Sequence, residues 1–416
     1  MRMRYSLYDQ EMIQRNTSLF LDIFKWIVYA SCIGGVVGAS TFIFIKSLEW
    51  SIAFAGGFPY YFLLLPFAMV ACTVLVRKMA PQARGHGTEQ VIEAVHQRFG
   101  KIDHMVVPVK AAATILTIAL GGSAGKEGPA AQIGAGLSSL IADIFKLKDA
   151  DRKKLVICGI SAGFSAVFGT PIAGAIFGIE VIYVGSLMYE LLLASFIAGI
   201  ISFYVASLLG LTYSFHSVTI IPDFSETFFL QVIAGAIFFG FCARLLIEGM
   251  GYAGRLSGRL QVPYWAKPAI GGTVLVALAL LVSPQYLGLG TGLVEQAVSG
   301  APGDWYAFLA KIAYTSVTLG FGGSGGIVTP IFVIGSTAGA LYAQIMGANV
   351  ATFAAIGLVS LLAGATKTPI ASSIMAIELF GPQIGPYAAV ACIISFIITG
   401  STSVFPSQVF LLKRFI

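Results

Sequence analysis

Glycines and two opposite charges interrupt a long apolar segment, residues 111–145, of this 416-residue chain. The interruption is Gly121-Gly122-Ser123-Ala124-Gly125-Lys126-Glu127-Gly128-Pro129. An acid near the middle of a bilayer costs roughly 2.5–3.5 kcal/mol on insertion scales, so it is rarely found there without a function. Glycine leaves backbone N–H groups unshielded, and Pro129 suits the first turn of a helix that starts again. The pattern therefore predicts a helix that is broken inside a membrane.

A helix that starts again inside the membrane is an anion site, because its free N–H groups and its positive dipole end attract negative charge. Glu127 lies at this end and would be a tethered anion that competes with a mobile anion for the site. The alternative is a structural ion pair with Lys126, but adjacent residues on a helix do not face each other well. We predict that Glu127 gates an anion pathway.

The composition is that of an integral membrane protein, since 57% of the residues are hydrophobic and only 11% are charged. Several apolar runs are shorter than the ~20 residues of a straight span, which favours re-entrant or broken helices. We expect a cytoplasmic N-terminal segment over residues 1–22 and a single transmembrane domain over residues 23–416, with no regulatory domain after it.

The basic residues indicate an orientation. They cluster at Arg2 and Arg4, in Lys146–Lys154 and at Lys413–Arg414. By the positive-inside rule these regions face the cytoplasm, which places both termini there. We see no nucleic-acid patch among them and expect neither a cofactor nor a metal site.

Two motifs occur twice, in the same order. Gly121-Gly122-Ser123 through Pro129 returns 201 residues later as Gly322-Gly323-Ser324 through Pro330. Thr170-Pro171-Ile172-Ala173, with Glu180 after it, returns 198 residues later at Thr368, with Glu378 after it. Broken apolar segments at matching places in two halves indicate a transporter with its site near the midplane. We expect repeat one over about residues 23–212 and repeat two over about residues 224–405.

Four segments carry a resemblance to a known family. Gly85-His86-Gly87-Thr88, Gly125-Lys126-Glu127-Gly128-Pro129, Gly325-Gly326-Ile327-Val328-Thr329-Pro330 and Ser403-Val404-Phe405-Pro406 resemble the four anion-pathway motifs of the CLC chloride channel and transporter family. The resemblance extends over nearly the whole chain. It implies an all-α integral membrane protein with a CLC-like fold, namely two inverted repeats with re-entrant or broken helices. It also implies a homodimer with one pore per subunit, in the bacterial inner membrane.

The resemblance implies a role for each matching residue. Glu127 corresponds to the external gating glutamate, which blocks the pathway when ionised and moves away when protonated. The anion-binding positions implied by the four motifs are Gly85, His86, Gly87, Gly125, Lys126, Gly128, Gly326, Ile327, Val328 and Phe405. The N–H groups of Ile327 and Val328 would bind the central anion, Gly85–Gly87 would form the inner mouth, and Phe405 would lie beside the central site.

The chain departs from the family pattern at five positions. His86 and Phe405 replace side chains with hydroxyl donors, while Val328 and Thr329 replace a common phenylalanine and alanine. Val181 occupies the place of an inner glutamate that proton-coupled members usually carry. Glu180 beside it is a candidate inner proton relay. The same acid recurs in the second repeat, however, which favours a structural acid at a helix end or interface.

The sequence leaves several functions open. We expect gated transport of chloride, coupled to the exchange of protons; the alternatives are a passive voltage- or pH-gated channel, and fluoride as the anion. An intramembrane serine protease is a remote alternative, since Gly322-Gly323-Ser324-Gly325 fits a nucleophile pattern but no histidine lies in a long apolar segment. The predicted partners are chloride or another small anion, protons, the lipid membrane and a second copy of the chain, and we expect no enzymatic activity.

Overall fold

Helices make up almost all of the regular structure. The computed structural model describes residues 2–213 and 225–411, with side chains from Phe20 onward. The helices of these residues are α1 (Arg2–Gly56), α2 (Leu65–Met79), α3 (Thr88–Gln97), α4 (Val106–Ala119), α5 (Glu127–Ile144), α6 (Asp149–Phe168), α7 (Pro171–Glu180), α8 (Leu192–Leu208), α9 (Glu226–Arg259), α10 (Ala266–Leu281), α11 (Thr291–Val298), α12 (Ala307–Gly320), α13 (Val328–Met346), α14 (Val350–Thr366), α15 (Pro369–Phe380) and α16 (Gly385–Ile398). Two short parallel strands, β1 (Tyr183–Val184) and β2 (Val409–Phe410), pair with each other.

Five helices of the described residues are long and apolar enough to cross a membrane. They are Phe20–Gly56, Tyr61–Met79 (which includes a short 3₁₀ turn), Tyr189–Leu208 (likewise), Glu226–Arg259 and Val328–Met346. Shorter apolar helices lie between and after them, among them α4, α7 and α14. Such lengths fit the predicted re-entrant and broken helices, because a helix of 14 residues cannot cross the bilayer alone.

Some of our expectations concern residues that the structure does not describe. The side chains of Arg2 and Arg4, the basic residues Lys413–Arg414 and the beginning of repeat two near Phe224 lie outside the described residues. The boundary at residue 22 stays a prediction. Helix α1 is continuous through it, from Arg2 to Gly56, and the apolar span in this helix begins at Phe20.

The helices form two sets that match in order. Helices α1–α8 correspond one by one to α9–α16, and equivalent pairs pack alike: α5 on α6 as α13 on α14, and α1 on α8 as α9 on α16. Contacts between the sets include α2 with α10 and α7 with α15, which are themselves equivalent helices. Such an arrangement is typical of two halves related by an approximate twofold axis.

Glycines allow the central helices of both sets to approach closely. A Cβ added at Gly159 of α6 would lie 2.5 Å from the carbonyl oxygen of Gly134 in α5. In the second set, a Cβ at Gly335 of α13 would lie 2.5 Å from the carbonyl oxygen of Gly357 in α14. Membrane helices pack through small residues because lipid supplies no hydrophobic force between them. The repeated glycines thus determine the spacing of the helices that follow each break.

Two glutamates join α7 and α15 reciprocally. The carboxylate of Glu180, at the end of α7, accepts hydrogen bonds from the N–H groups of Ile370 (3.0 Å) and Ala371 (2.8 Å) in the first turn of α15. Glu378 of α15 makes the same two bonds, 3.0 and 2.8 Å long, to the first turn of α7. Each carboxylate therefore satisfies N–H groups that have no acceptor within their own helix. Glu180 is buried and Glu378 is half-buried.

We predict that Glu180→Ala lowers the free energy of unfolding by about 2 kcal/mol, because it leaves two amide donors without a charged acceptor. Glu378→Ala should have a smaller effect, since water reaches its half-buried site. Unfolding by denaturant in detergent would measure both. The exposed Glu295→Ala is the matched control, and equal stability of Glu180→Ala and this control would contradict the structural role.

Candidate functional site

The two glycine-rich breaks meet at the centre of the molecule. The N–H of Gly125 donates to the carbonyl of Gly326 at 2.7 Å, and the N–H of Gly326 donates to the carbonyl of Gly125 at 2.6 Å. These two bonds form an isolated antiparallel bridge between equivalent residues of the two repeats. The first turns of α5 and α13 follow directly after the bridge, so both helix N-termini begin in the same buried region.

Hydroxyl groups of the preceding helices hold both breaks in place. Thr318 of α12 accepts a hydrogen bond from the N–H of Ser123 at 3.0 Å, and the equivalent Thr117 of α4 accepts one from the N–H of Ser324 at 3.2 Å. The side chain of Ser324 lies 3.4 Å from the hydroxyl of Thr114. These reciprocal bonds satisfy buried amides that the helix breaks leave free.

No hydrogen bond joins Ser324 to any of the histidines that the structure describes. Its hydroxyl lies beside that of Thr114, whereas a nucleophile requires a histidine as base. Of the described histidines, His86 contacts the Phe405 ring, His96 the carbonyl of Ile182, and His104 the carboxylate of Asp103. His216 lies outside the described residues. The geometry does not favour the protease alternative.

Glu127 reaches across to the N-terminus of the other broken helix. It is the first residue of α5 and only 1% exposed. Its Oε2 accepts a hydrogen bond from the N–H of Thr329 at 3.1 Å, and its Oε1 accepts one from the Thr329 hydroxyl. Thr329 is the second residue of α13. The carboxylate therefore occupies a helix N-terminus, a position that favours any negative charge.

A cleft of about 360 Å³ leads from the surface to Glu127. Its polar lining includes Glu49, Lys126, Glu127, Thr291, Glu295 and Thr329. Lys126 thus lies on the approach to the buried carboxylate. Among the ion pairs of the described residues, none joins Lys126 to Glu127, so the simple structural pairing of these neighbours does not occur there.

The Gly85–Gly87 loop packs against the backbone of the first turn of α5. Gly85 and Gly87 have φ angles of 69° and 89°, which favour glycine. A Cβ at Gly87 would lie 2.5 Å from the carbonyl oxygen of Gly128, so no larger residue fits. The structure therefore brings together three of the predicted segments, because Gly128 also lies close to Gly326.

His86 and Phe405 face each other at this loop. Their ring centroids are 5.5 Å apart, and neither residue lines the cleft that leads to Glu127. The Nδ1 atom of His86 is buried and has no hydrogen-bond partner within the described parts of the chain. Phe405 is fully buried, and its N–H donates to the hydroxyl of Ser403 at 3.0 Å. An imidazole without a partner at this position is suited to bind a ligand.

The segment that carries Phe405 is anchored on both sides. The amide of Gln408 donates to the carbonyls of Val181 (2.8 Å) and Thr366 (2.9 Å), and β2 pairs with β1 immediately afterwards. Val181, where coupled relatives are expected to carry an acid, is fully buried and contributes its carbonyl to this contact. Glu180 as an inner proton relay stays a prediction, and both of its oxygens already accept hydrogen bonds.

Ile327 and Val328 are buried at the beginning of α13. Ile327 is the N-cap residue and Val328 the first residue of the helix, so their N–H groups have no acceptor within it. They adjoin Thr329, whose N–H binds the carboxylate of Glu127. The predicted donors are thus next to the position that Glu127 occupies, and their role as anion ligands stays a prediction.

Sequence reasoning did not assign a role to Lys110 or a partner to Thr329. The ammonium group of Lys110, fully buried in α4, donates to the carbonyls of Ala83 (3.2 Å) and Gly85 (2.5 Å) and so holds the loop that carries His86. The equivalent Lys311 holds Tyr286 and Gly288 in the same way. A single lysine in the apolar run 106–119, repeated 201 residues later, was the available signal.

A helical membrane domain with two broken helices that meet at a buried carboxylate is the architecture of an anion transporter. Residues 67–400 match the sequence model of the family described as "Voltage gated chloride channel". The chain therefore belongs to this family, the CLC channels and transporters.

Two curated relatives agree with this assignment. A protein described as a chloride/fluoride channel protein, from Pseudomonas syringae pv. tomato, is 32% identical over 396 residues, which cover 93% of this chain and 86% of the relative. The voltage-gated ClC-type chloride channel ClcB of Escherichia coli O157:H7 is 28% identical over 332 residues, which cover 76% of this chain and 78% of the relative.

Solved structures have the same fold. The crystal structure of a CLC-type fluoride/proton antiporter has a TM-score of 0.90 and 28% identity, and the match covers 94% of this chain and 99% of that chain. A slow cyanobacterial Cl⁻/H⁺ antiporter has a TM-score of 0.79 at 19% identity, with 91% and 96% covered, and supports the fold alone. The predicted all-α membrane fold of two inverted repeats with broken helices is confirmed, as is CLC-type anion transport.

The bond between Thr329 and Glu127 gives a first test of the gate. Thr329→Val removes the hydroxyl that donates to the ionised Glu127 carboxylate. The carboxylate is then bound less strongly and leaves the N-terminus of α13 more often. We expect anion flux to rise several-fold near neutral pH, and we expect the pH at which the flux is half-maximal to increase. Flux from proteoliposomes at a series of pH values measures both. Thr329→Ser keeps the hydroxyl and should behave like the wild type; if Thr329→Val does so too, the bond has no part in gating.

Proposed function

We propose that this protein exchanges a small halide for protons, that fluoride is the halide it transports best, and that Glu127 takes part in the movement of both. The observation that carries the proposal is the pair of hydrogen bonds from Thr329, in the first turn of α13, to the Glu127 carboxylate. A mobile anion that enters the cleft needs the same donors that this carboxylate occupies.

Exchange follows from the competition for these donors. The ionised carboxylate is held at the N-terminus of α13 by charge-assisted bonds and by the helix dipole, and it closes the pathway. Protonation removes the negative charge, so the neutral acid is bound less strongly and can swing into the cleft. A halide then takes its place on the N–H groups. When the halide leaves, Glu127 returns and can release its proton on the other side.

Size and hydrogen bonding favour fluoride over the chloride that we expected from the motifs. The position now holds both carboxylate oxygens of Glu127, one on the N–H and the other on the hydroxyl of Thr329. Fluoride is close to one such oxygen in size, whereas chloride is larger. Fluoride is also the stronger hydrogen-bond acceptor. The names of two similar proteins support this choice, since one is described as a chloride/fluoride channel and one as a fluoride/proton antiporter.

We assign the remaining residues to the pathway by their positions. Backbone groups provide most of the ligands, as expected where glycine exposes N–H groups at helix breaks. These residues are Gly85, Gly87, Gly125, Gly128, Gly326, Ile327 and Val328. Lys126 attracts anions into the cleft, the imidazole of His86 offers a donor, and Phe405 limits the space beside it.

A passive fluoride or chloride channel is the second candidate. Val181 has no ionisable group, and one relative is described as a channel protein. We further propose that the protein forms a homodimer in the inner membrane of a bacterium, with both termini in the cytoplasm, and that it has no enzymatic activity. The resemblance to the family and the cluster of bases in Lys146–Lys154 support this assembly and orientation.

Removal of the carboxylate tests the proposal. In proteoliposomes loaded with fluoride, we expect wild-type efflux to be accompanied by proton uptake. Glu127→Gln cannot ionise, so its efflux should persist, become independent of pH, and show proton uptake lowered by about tenfold or more. The matched control is Glu295→Gln, which alters an acid that lines the same cleft but has an exposed side chain. If Glu127→Gln kept the pH dependence of the wild type, Glu127 would not be the gate.

Phe405 tests the choice of halide. Phe405→Tyr adds a hydroxyl donor beside His86 and should stabilise fluoride, the stronger acceptor, more than chloride, by about 1 kcal/mol, the usual net value of a hydrogen bond. The ratio of chloride flux to fluoride flux should fall about fivefold. Competition between the two ions in the same vesicles gives this ratio. An unchanged ratio would show that Phe405 does not contact the transported ion.

A further inference from the structure

Glu89 links the two segments that carry His86 and Phe405. It lies in the first turn of α3, three residues after His86. Its Oε1 accepts hydrogen bonds from the N–H of Ser407 at 3.0 Å and from the hydroxyl of Ser407 at 2.5 Å. Ser407 follows Phe405 by two residues. One carboxylate therefore joins the loop and the C-terminal segment that carry His86 and Phe405, neither of which lines the Glu127 cleft.

The two oxygens of Glu89 have different surroundings. Oε1 receives both hydrogen bonds from Ser407, whereas Oε2 is buried and has no hydrogen-bond partner among the described residues. A buried carboxylate oxygen without a donor is unfavourable when the group is ionised. A proton on Oε2 would relieve this situation and leave the bonds to Ser407 intact. The side chain can thus gain and lose a proton without releasing the Phe405 segment.

The burial of Glu89 favours proton uptake. Burial raises the pKa of Glu89, and the like charge of Glu93, one turn further along α3, acts in the same direction, whereas the bonds from Ser407 oppose it. Two cations lie on neighbouring helices. Lys110 of α4 donates to the carbonyl of Gly85, and Lys153 of α6 lies near His96, close to the C-terminal end of α3, and lowers the pKa of that histidine. The residue that faces Glu89 from the C-terminal segment, Ser407, is not ionisable.

We propose that Glu89 takes up and releases protons at the His86–Phe405 end of the pathway, as Glu127 does at the cleft. This inference rests on the proposed proton coupling. The step is a proton transfer alone. A proton from the solvent binds Oε2 to give the neutral acid, and it later leaves to water that enters the pathway and carries it towards Glu127. Glu89 then supplies the acid that Val181 lacks, from a different element of the fold.

Three variants separate proton transfer from a structural link. Glu89→Gln keeps an oxygen for Ser407 but cannot titrate; we expect it to retain fluoride flux and to move about tenfold fewer protons per fluoride. Ser407→Ala removes the hydroxyl donor but keeps the carboxylate, and its proton-to-fluoride ratio should equal that of the wild type. Glu93→Gln, on the same helix, is the control for a general change of charge. Simultaneous fluoride-electrode and pH-electrode recordings from proteoliposomes give each ratio.

Each outcome decides the proposal. A wild-type ratio in Glu89→Gln overturns it, and so do equal losses in Glu89→Gln and Ser407→Ala, which would make Glu89 a structural link only. A wild-type protein that moves fluoride without protons contradicts the proposed function itself, and the role of Glu89 with it. Should Glu89→Gln fail to fold, Glu89→Asp keeps a carboxylate at a new distance from Ser407. It should retain coupling with a shifted pH profile of proton flux, and an unshifted profile overturns the proposal.

Discussion

The centre of the molecule depends on one interaction, the binding of the Glu127 carboxylate at the N-terminus of α13. A helix N-terminus inside a membrane holds unpaired N–H groups in a medium of low dielectric constant, so an anion has to be present or water has to enter. The chain supplies its own anion from the equivalent position in the other repeat. In the proposed function, protonation of this carboxylate links the occupancy of the site by a mobile halide to protons.

The rest of the fold brings these two helix ends together and keeps them there. The antiparallel bridge of Gly125 and Gly326 joins the breaks, and the equivalent threonines Thr117 and Thr318 hold each break from the opposite repeat. Further out, Glu180 and Glu378 join α7 and α15. Each contact has a counterpart in the other half, so one duplicated set of interactions builds both sides of the pathway.

Much of this could be predicted from the sequence, because glycine-rich breaks in apolar runs and a repeat near 200 residues have direct structural consequences. The breaks, the position of Glu127 and the membrane fold all follow from these patterns. The partners do not. Thr329 lies 202 residues from Glu127 and Ser407 lies 318 residues from Glu89, and such pairs depend on how the halves pack. Lys110 was recognisable as a lone charge in an apolar run, but its acceptors are loop carbonyls without any sequence signature.

The most direct measurement is the reversal potential of the wild-type protein in proteoliposomes under a fluoride gradient, with and without an opposing proton gradient. If Glu127 couples the movement of fluoride to that of protons, the reversal potential has to depend on both gradients. We predict that the imposed proton gradient shifts the reversal potential away from the fluoride equilibrium value. A potential that follows fluoride alone would contradict coupled exchange and show that the carboxylate only opens and closes a channel.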